Sequence, residues 1–255
     1  MSFRVVIPAR YQSTRLPGKP LRLIGGEPMI RRVYERASAS GATAVLIATD
    51  DARIADACQR FGAPVTMTRT DHESGTDRLA EVAIREAWPD DEIVVNVQGD
   101  EPLVDPANIA QVAALLATRS WAAVATLVTP LLDRDEYLDP NVVKAVMDEA
   151  GRALYFSRAP IPWHRSHASS GPTSDGDWAG AWRHFGLYAY SCAGLKRLSA
   201  LPAAPLEKAE RLEQLRALYF GLPIVIAPAA VVPGPGVDTE ADLARADAAW
   251  RALAG

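Results

Sequence analysis

Three cations, Arg10, Arg15 and Lys19, follow a short apolar run, Val5-Val6-Ile7-Pro8-Ala9, and no acidic residue precedes Glu27. Arginine grips phosphate oxygens in a bidentate fork, and lysine acts as a point charge. Gly18 lets the backbone approach a ligand closely. A cationic loop leaving the first strand of a sheet is suited to a polyphosphate, though scattered charges also occur on ordinary solvated loops. The loop is not a Walker A motif, because Pro20 stands where the magnesium-binding Ser or Thr would follow Gly18-Lys19. It carries no G-x-G-x-x-G dinucleotide fingerprint either.

Two carboxylates are placed to complement those cations. Asp100, in Gln98-Gly99-Asp100-Glu101-Pro102, follows the apolar run Ile93–Val97. Ligands bind at the carboxyl ends of strands in open α/β sheets, and a carboxylate there can hold Mg²⁺. Gly-Asp is equally a turn former. Asp238, in Gly236-Val237-Asp238-Thr239, precedes a helical segment and is either a second metal carboxylate or part of a helix cap. Ser74 and Gly75 open another helix, with Arg78 one turn in. This helix start suits a nucleotide, or is simply capped, with Arg78 paired to Asp77 or Glu81. Farther on, His184 and Tyr188 share one face of a strand. With Arg158 taking a carboxylate, they could hold a hydroxylated acid; a lone His and Tyr are more often structural.

Strand-like runs (Arg4–Pro8, Ala44–Thr49, Val65–Thr68, Glu92–Val97) alternate with helix-like segments (Pro28–Ser38, Asp51–Phe61, Thr76–Ala87). Several strands are continuously apolar, as strands covered on both faces are. The pattern predicts an α/β fold: a Rossmann-like, mostly parallel open sheet with helices on both faces. The rhythm changes after about Val124. Ala122–Val128, Val142–Met147, Leu154–Ser157 and His184–Tyr190 read as strands without long helices between them, and Trp163–Trp182 reads as a loop. Residues 1–255 then form one domain, with an antiparallel extension over about 122–190 that is a candidate dimerisation arm. A helix is expected over Leu206–Phe220, with Leu212, Leu215 and Tyr219 on its apolar face and Glu210, Glu213 and Gln214 on polar positions. Pro223–Pro228 is a further strand, and Glu240–Leu253 a closing helix capped by Thr239.

The chain has 255 residues, 49% of them hydrophobic, and a formal net charge of -4, which argues against general nucleic-acid binding. Cys58 and Cys192 have no metal-like spacing and read as buried or free thiols of a reducing compartment. No signal peptide and no apolar run of membrane-spanning length is expected, so the cytoplasm is the expected location.

Val6-Ile7-Pro8-Ala9-Arg10 followed by Ser13-Thr14-Arg15-Leu16-Pro17-Gly18-Lys19-Pro20 resembles the nucleotide-binding signature of sugar-acid cytidylyltransferases. Ser74–Arg78, Asn96–Pro102, Ala153–Arg158, His184–Tyr190, Leu212–Arg216 and Pro233–Thr239 follow in the same order. Together they resemble the 3-deoxy-D-manno-octulosonate (Kdo) branch over nearly the whole chain. His164–Trp182 matches no family motif. The resemblance implies transfer of CMP from CTP to Kdo with release of pyrophosphate, activating Kdo for lipopolysaccharide synthesis. It further implies Mg²⁺ dependence and a homodimer to which the middle strands contribute. By matching positions, Ala9, Arg10, Arg15, Lys19, Ser74, Arg78 and Gln98 correspond to CTP contacts. Asp100 and Asp238 correspond to magnesium ligands. Gln98, Arg158, His184, Tyr188, Glu213 and Gln214 correspond to the sugar pocket, and Arg15, Lys19, Asp100 and Asp238 to the catalytic set. Two alternatives stay open: a cytidylyltransferase for another sugar acid, and a non-catalytic nucleotide-sensing module.

Overall fold

The structure is a computed structural model and describes residues 2–13, 15–72, 74–165, 178 and 180–254. In chain order the elements are β1 (Arg4–Ala9), β2 (Leu23–Ile24), β3 (Glu27–Pro28), α1 (Met29–Ser38), β4 (Ala44–Thr49), α2 (Ala52–Arg60), β5 (Val65–Met67), α3 (Gly75–Arg85), β6 (Ile93–Asn96), α4 (Pro106–Ala117) and β7 (Val124–Pro130). They continue with α5 (Arg134–Leu138), β8 (Lys144–Met147), β9 (Ala153–Ser157), β10 (Trp182–Ser191), α6 (Cys192–Ser199), α7 (Pro205–Glu210), α8 (Gln214–Tyr219), β11 (Ile224–Pro228) and α9 (Glu240–Ala254).

The main sheet runs β11-β7-β10-β6-β1-β4-β5. Strands β6, β1, β4 and β5 pair in parallel, as do β11 and β7; β10 lies antiparallel between β6 and β7. Burial explains the central strands: Val5, Val6 and Ile7 of β1 and Val94 and Val95 of β6 are fully enclosed. One side of the sheet packs Val5, Ile7 and Val95 against α1, α2 and α4, and the other packs Val6 and Val94 against α3 and α6. This is the doubly covered sheet that the apolar runs imply.

The antiparallel extension is narrower than 122–190. β7 and β10 belong to the main sheet, and only β8 and β9 project from the Trp182 end of β10 as an antiparallel pair. The expected helix over Leu206–Phe220 is two helices, broken where Arg211 adopts a left-handed φ of 52°. Leu212 and Leu215 are buried as expected, but Tyr219, the last residue of α8, is exposed. Three helices, α4, α5 and α6, are not among the expected elements. Asp105 caps α4 and Ser191 caps α6, each side chain accepting a backbone N–H of the first turn. Most of the expected Trp163–Trp182 loop (residues 166–177 and 179) lies outside the described residues.

Candidate active site

The parallel strands end along one edge, so the loops after β1, β4, β5 and β6 converge there. Their approach depends on small residues. A Cβ on Gly99, after β6, would stand 2.8 Å from the Pro8 carbonyl of β1. Gly18 adopts a positive φ of 65° and gives its N–H to the Tyr11 carbonyl, which folds the cationic loop back on itself.

The folded loop delivers Lys19 to both expected carboxylates. Its ammonium is 2.6 Å from Asp100 Oδ2 and 3.0 Å from Asp238 Oδ1. Arg15, largely exposed, reaches Asp238 Oδ2 at 3.2 Å. Residues far apart in sequence thus share one cation-filled point. Burial pulls the Lys19 pKa down, but Asp100 and Asp238 outweigh it and hold the ammonium above its ordinary value. Glu101 lies just behind. Burial, reinforced by Asp100, raises its carboxyl to about 8, so at neutral pH it adds no third negative charge. Asp238 itself is positioned by α9: Asp242 accepts from the N–H groups of Asp238 and Thr239, and the Thr239 hydroxyl accepts from the Asp242 N–H. Thr239 is therefore the expected cap, and Asp238 is left facing Lys19.

A cleft of about 420 Å³ surrounds these groups, bordered by Ala9, Arg10, Arg15, Lys19, Gly75 and Gln98 among others. Gln98 also borders a second cavity of about 280 Å³, which contains Ser74, His184, Tyr188, Glu213 and Gln214. The two cavities adjoin at Gln98 along the strand ends, the first lined by cations and the second by aromatic and hydrogen-bonding groups.

In the second cavity, His184 lies 3.0 Å by Nε2 from the Thr126 hydroxyl and stands edge-on to Phe156. Burial lowers its pKa to about 3, so the ring is neutral. The Thr126 hydroxyl also lies within hydrogen-bond distance of the Phe185 and Leu187 carbonyls. Its single proton serves these acceptors, so His184 Nε2 carries a hydrogen and Nδ1 is left as an acceptor. The strand is irregular here. His184 opposes Val128 and Tyr188 opposes Thr126, so four steps along β10 match two along β7. The excess is even, which keeps His184 and Tyr188 on one face despite the bulge. Burial raises the Tyr188 pKa well above its ordinary value, keeping the phenol protonated. Glu213 opens to the cavity yet is ringed by protein. Desolvation raises its pKa against the Thr76 hydroxyl, which donates to it at 3.1 Å.

Two expected site residues stand elsewhere. Arg78 is fully buried and pairs neither with Asp77 nor with Glu81; it bonds Asp50 at 2.8 Å and the Thr68 hydroxyl. It fastens the ends of β4 and β5 to α3 and offers no surface to either cavity. Arg158 borders neither cavity. Its guanidinium donates to the Glu210 and Pro140 carbonyls, bracing the turn before Glu213. Cavity residues that sequence reasoning missed include Thr76, Asn96 and Tyr190. Asn96 carried a signal, being a polar residue inside the apolar run Ile93–Val97. Cys58 and Cys192 are buried thiols whose pKa values burial raises to about 12 and about 11, so neither is a nucleophile.

A parallel sheet whose strand ends carry a cationic cleft, paired carboxylates and an adjoining polar cavity defines the nucleotide-handling α/β class. Comparison with known proteins gives the family. A family described as Cytidylyltransferase matches residues 4–224. The chain is 57% identical to the 3-deoxy-manno-octulosonate cytidylyltransferase of Cellvibrio japonicus, covering 97% of this chain and 98% of that one. It is 54% identical to the protein of the same name from Thioalkalivibrio sulfidiphilus, covering 99% and 100%. A solved structure of CMP:2-keto-3-deoxy-manno-octonic acid synthetase complexed with CTP superposes with a TM-score of 0.89 at 42% identity, covering 99% of this chain and all of that one. The chain belongs to the cytidylyltransferase family, and within it to the 3-deoxy-manno-octulosonate cytidylyltransferases.

Proposed function

We propose that the protein joins CTP and Kdo to give CMP-Kdo and pyrophosphate. The observation that carries this reading is the pair of adjoining cavities: a cationic cleft around Lys19 that shares Gln98 with a cavity holding His184, Tyr188, Glu213 and Gln214. CTP occupies the cleft, with Arg10, Arg15 and Lys19 against its phosphates. Kdo occupies the cavity and presents its anomeric hydroxyl to the α-phosphorus. The oxygen–phosphorus bond forms as the bond to pyrophosphate breaks, and the hydroxyl proton is lost to solvent. Arg15 and Lys19 stabilise the charge that grows on pyrophosphate. Such chemistry rests on positioning and electrostatics, and no protein nucleophile is required.

Asp100 and Asp238 are the proposed Mg²⁺ ligands. They fit the ion because both carboxylates already converge on one cation, the Lys19 ammonium. Mg²⁺ is commonly held by one or two carboxylates completed by phosphate oxygens and water. When bound, the ion supplies charge neutralisation at the phosphates and acidifies the attacking hydroxyl.

His184 is neutral and, through Nδ1, accepts a sugar hydroxyl proton in a hydrogen bond; the Tyr188 phenol donates one. A homodimer is proposed through the projecting β8–β9 pair. β9 pairs only with β8 among the described strands, and Leu154 on it is 58% exposed. Leu154→Glu should halve the mass seen by sedimentation; an unchanged mass would place the dimer contact elsewhere. The cytoplasm is the proposed location, supported by two buried, unpaired cysteines and by the absence, among the described residues, of a helix long and apolar enough to cross a membrane. The product's proposed use is in lipopolysaccharide synthesis. The test of the reaction is turnover with a panel of sugar acids and nucleotides. Kdo and CTP should be strongly preferred, and a preference for another sugar acid would move the assignment within the family.

A further inference from the structure

A cluster of titratable side chains behind the cleft takes no part in the reaction described above. Glu81, on α3, is the hub. Its Oε2 accepts from the Arg69 backbone N–H at 3.0 Å and lies 2.5 Å from His72 Nε2, while its Oε1 receives Arg85 Nη1 at 3.3 Å. The side chains of Glu81 and His72 are only 15% and 9% exposed, so this contact is enclosed and geometrically restricted. The loop after β5 is thereby fastened to α3 at Arg69 and again at His72.

The same loop touches the cleft. The His72 carbonyl accepts from Arg10 Nη2 at 2.5 Å. Among the described residues that is the side-chain hydrogen bond found for Arg10, which borders the cleft beside Lys19. A continuous chain therefore runs from Glu81 through the His72 ring and carbonyl to the Arg10 guanidinium. Ser74, which caps α3, and Gly75, which borders the cleft, stand two and three residues farther along the chain. The His72 carbonyl thus meets the Arg10 guanidinium at the border of the cleft.

We infer that Glu81 and His72 are positioning residues for nucleotide binding: they hold the loop after β5 so that its carbonyl aims Arg10 at the phosphates of CTP. The chemistry implies a division of effects. Neither side chain borders the sugar cavity. Loss of either should weaken CTP binding and leave sugar binding and the chemical step nearly untouched. The inference rests on the reading of Arg10 as a CTP contact.

The test is a kinetic double-mutant cycle on the full-length enzyme. Arg10→Ala, Glu81→Ala, His72→Ala, Glu81→Gln and the double variant Arg10→Ala/Glu81→Ala are assayed for kcat and for KM of CTP and Kdo, with thermal unfolding alongside. Glu81→Ala and His72→Ala should each raise KM for CTP about tenfold, with kcat and KM for Kdo changed less than about twofold. Glu81→Gln keeps an oxygen for the Arg69 N–H and should recover most of that loss. In the Arg10→Ala background, Glu81→Ala should add less than about twofold, because the two act through one contact. If Arg10→Ala leaves KM for CTP unchanged, the reading of Arg10 is wrong. If Arg10→Ala raises it but Glu81→Ala and His72→Ala do not, or if the effects multiply in the double variant, the positioning role is wrong. Should Glu81→Ala not fold, His72→Ala and its combination with Arg10→Ala decide the question in the same way.

Discussion

His184 ties stability to pH. In the folded protein its pKa is lowered by burial to about 3, whereas an unfolded histidine titrates near 6.5. The unfolded chain therefore binds a proton that the folded chain refuses. Stability from this group is fully present above pH ~6.5 and is lost as pH falls from there towards 3. At pH 7 protonation of the unfolded ring favours unfolding by only about 0.2 kcal/mol, and at pH 5, where that ring is almost fully charged, by about 2 kcal/mol. A folded pKa one unit higher would leave that figure nearly unchanged, because the folded ring would still be neutral at pH 5. Carboxylates begin to titrate in the same window, so the measurement is a comparison. Urea unfolding of the wild type and of His184→Gln at pH 7 and pH 5 should show the wild type losing about 2 kcal/mol more than the variant. Equal losses would mean that His184 can hold a proton while folded, and the assignment of a neutral, hydrogen-bond-accepting ring in the sugar cavity would fail.

Three further outcomes follow from the site. Asp100→Ala removes a carboxylate that is 39% exposed on its outer side, so the thermal midpoint should move by only a few degrees while Mg²⁺-dependent turnover falls at least about a hundredfold; near-normal turnover would remove Asp100 from the metal site. Gly99→Ala places a methyl group 2.8 Å from the Pro8 carbonyl and should cost about 1–3 kcal/mol in denaturant unfolding together with activity, whereas an unchanged midpoint would show that the β1 and β6 loops can separate freely. Arg158→Ala frees the Glu210 carbonyl beside Glu213 and Gln214, and should raise KM for Kdo several-fold more than KM for CTP; the opposite ranking would tie Arg158 to the nucleotide.

The residues that sequence reading places well are those whose local surroundings settle their role. β1, β4 and β6 are short apolar runs with polar ends, and two covered faces are the only economical fate for such runs. Lys19, Asp100 and Asp238 lie at strand and helix ends, where an open sheet gathers its ligands, so their convergence follows from topology. Other features depend on partners that no local pattern reveals. Arg78 stands at a helix start like a phosphate ligand, but Asp50 comes from a different loop and takes it inside. Arg158 is held by the Glu210 carbonyl, a backbone group with no side-chain signature. The break at Arg211 has neither Gly nor Pro to announce it. α4 is apolar nearly all round and shows no helical stripe, so periodicity passes over it. The link from Glu81 to Arg10 runs through a main-chain carbonyl and becomes visible only in three dimensions.

In the proposed reaction CTP, a divalent cation and Kdo meet at the strand ends for transfer at the α-phosphorus. Pyrophosphate release measured with CTP, Kdo and Mg²⁺, beside reactions lacking Kdo, containing ATP, GTP or UTP, or containing EDTA, tests it most directly. Rapid release that requires both Kdo and the metal and strongly prefers CTP is the expected result. Well-folded protein that releases no pyrophosphate under those conditions, or releases it equally well with EDTA, would contradict it.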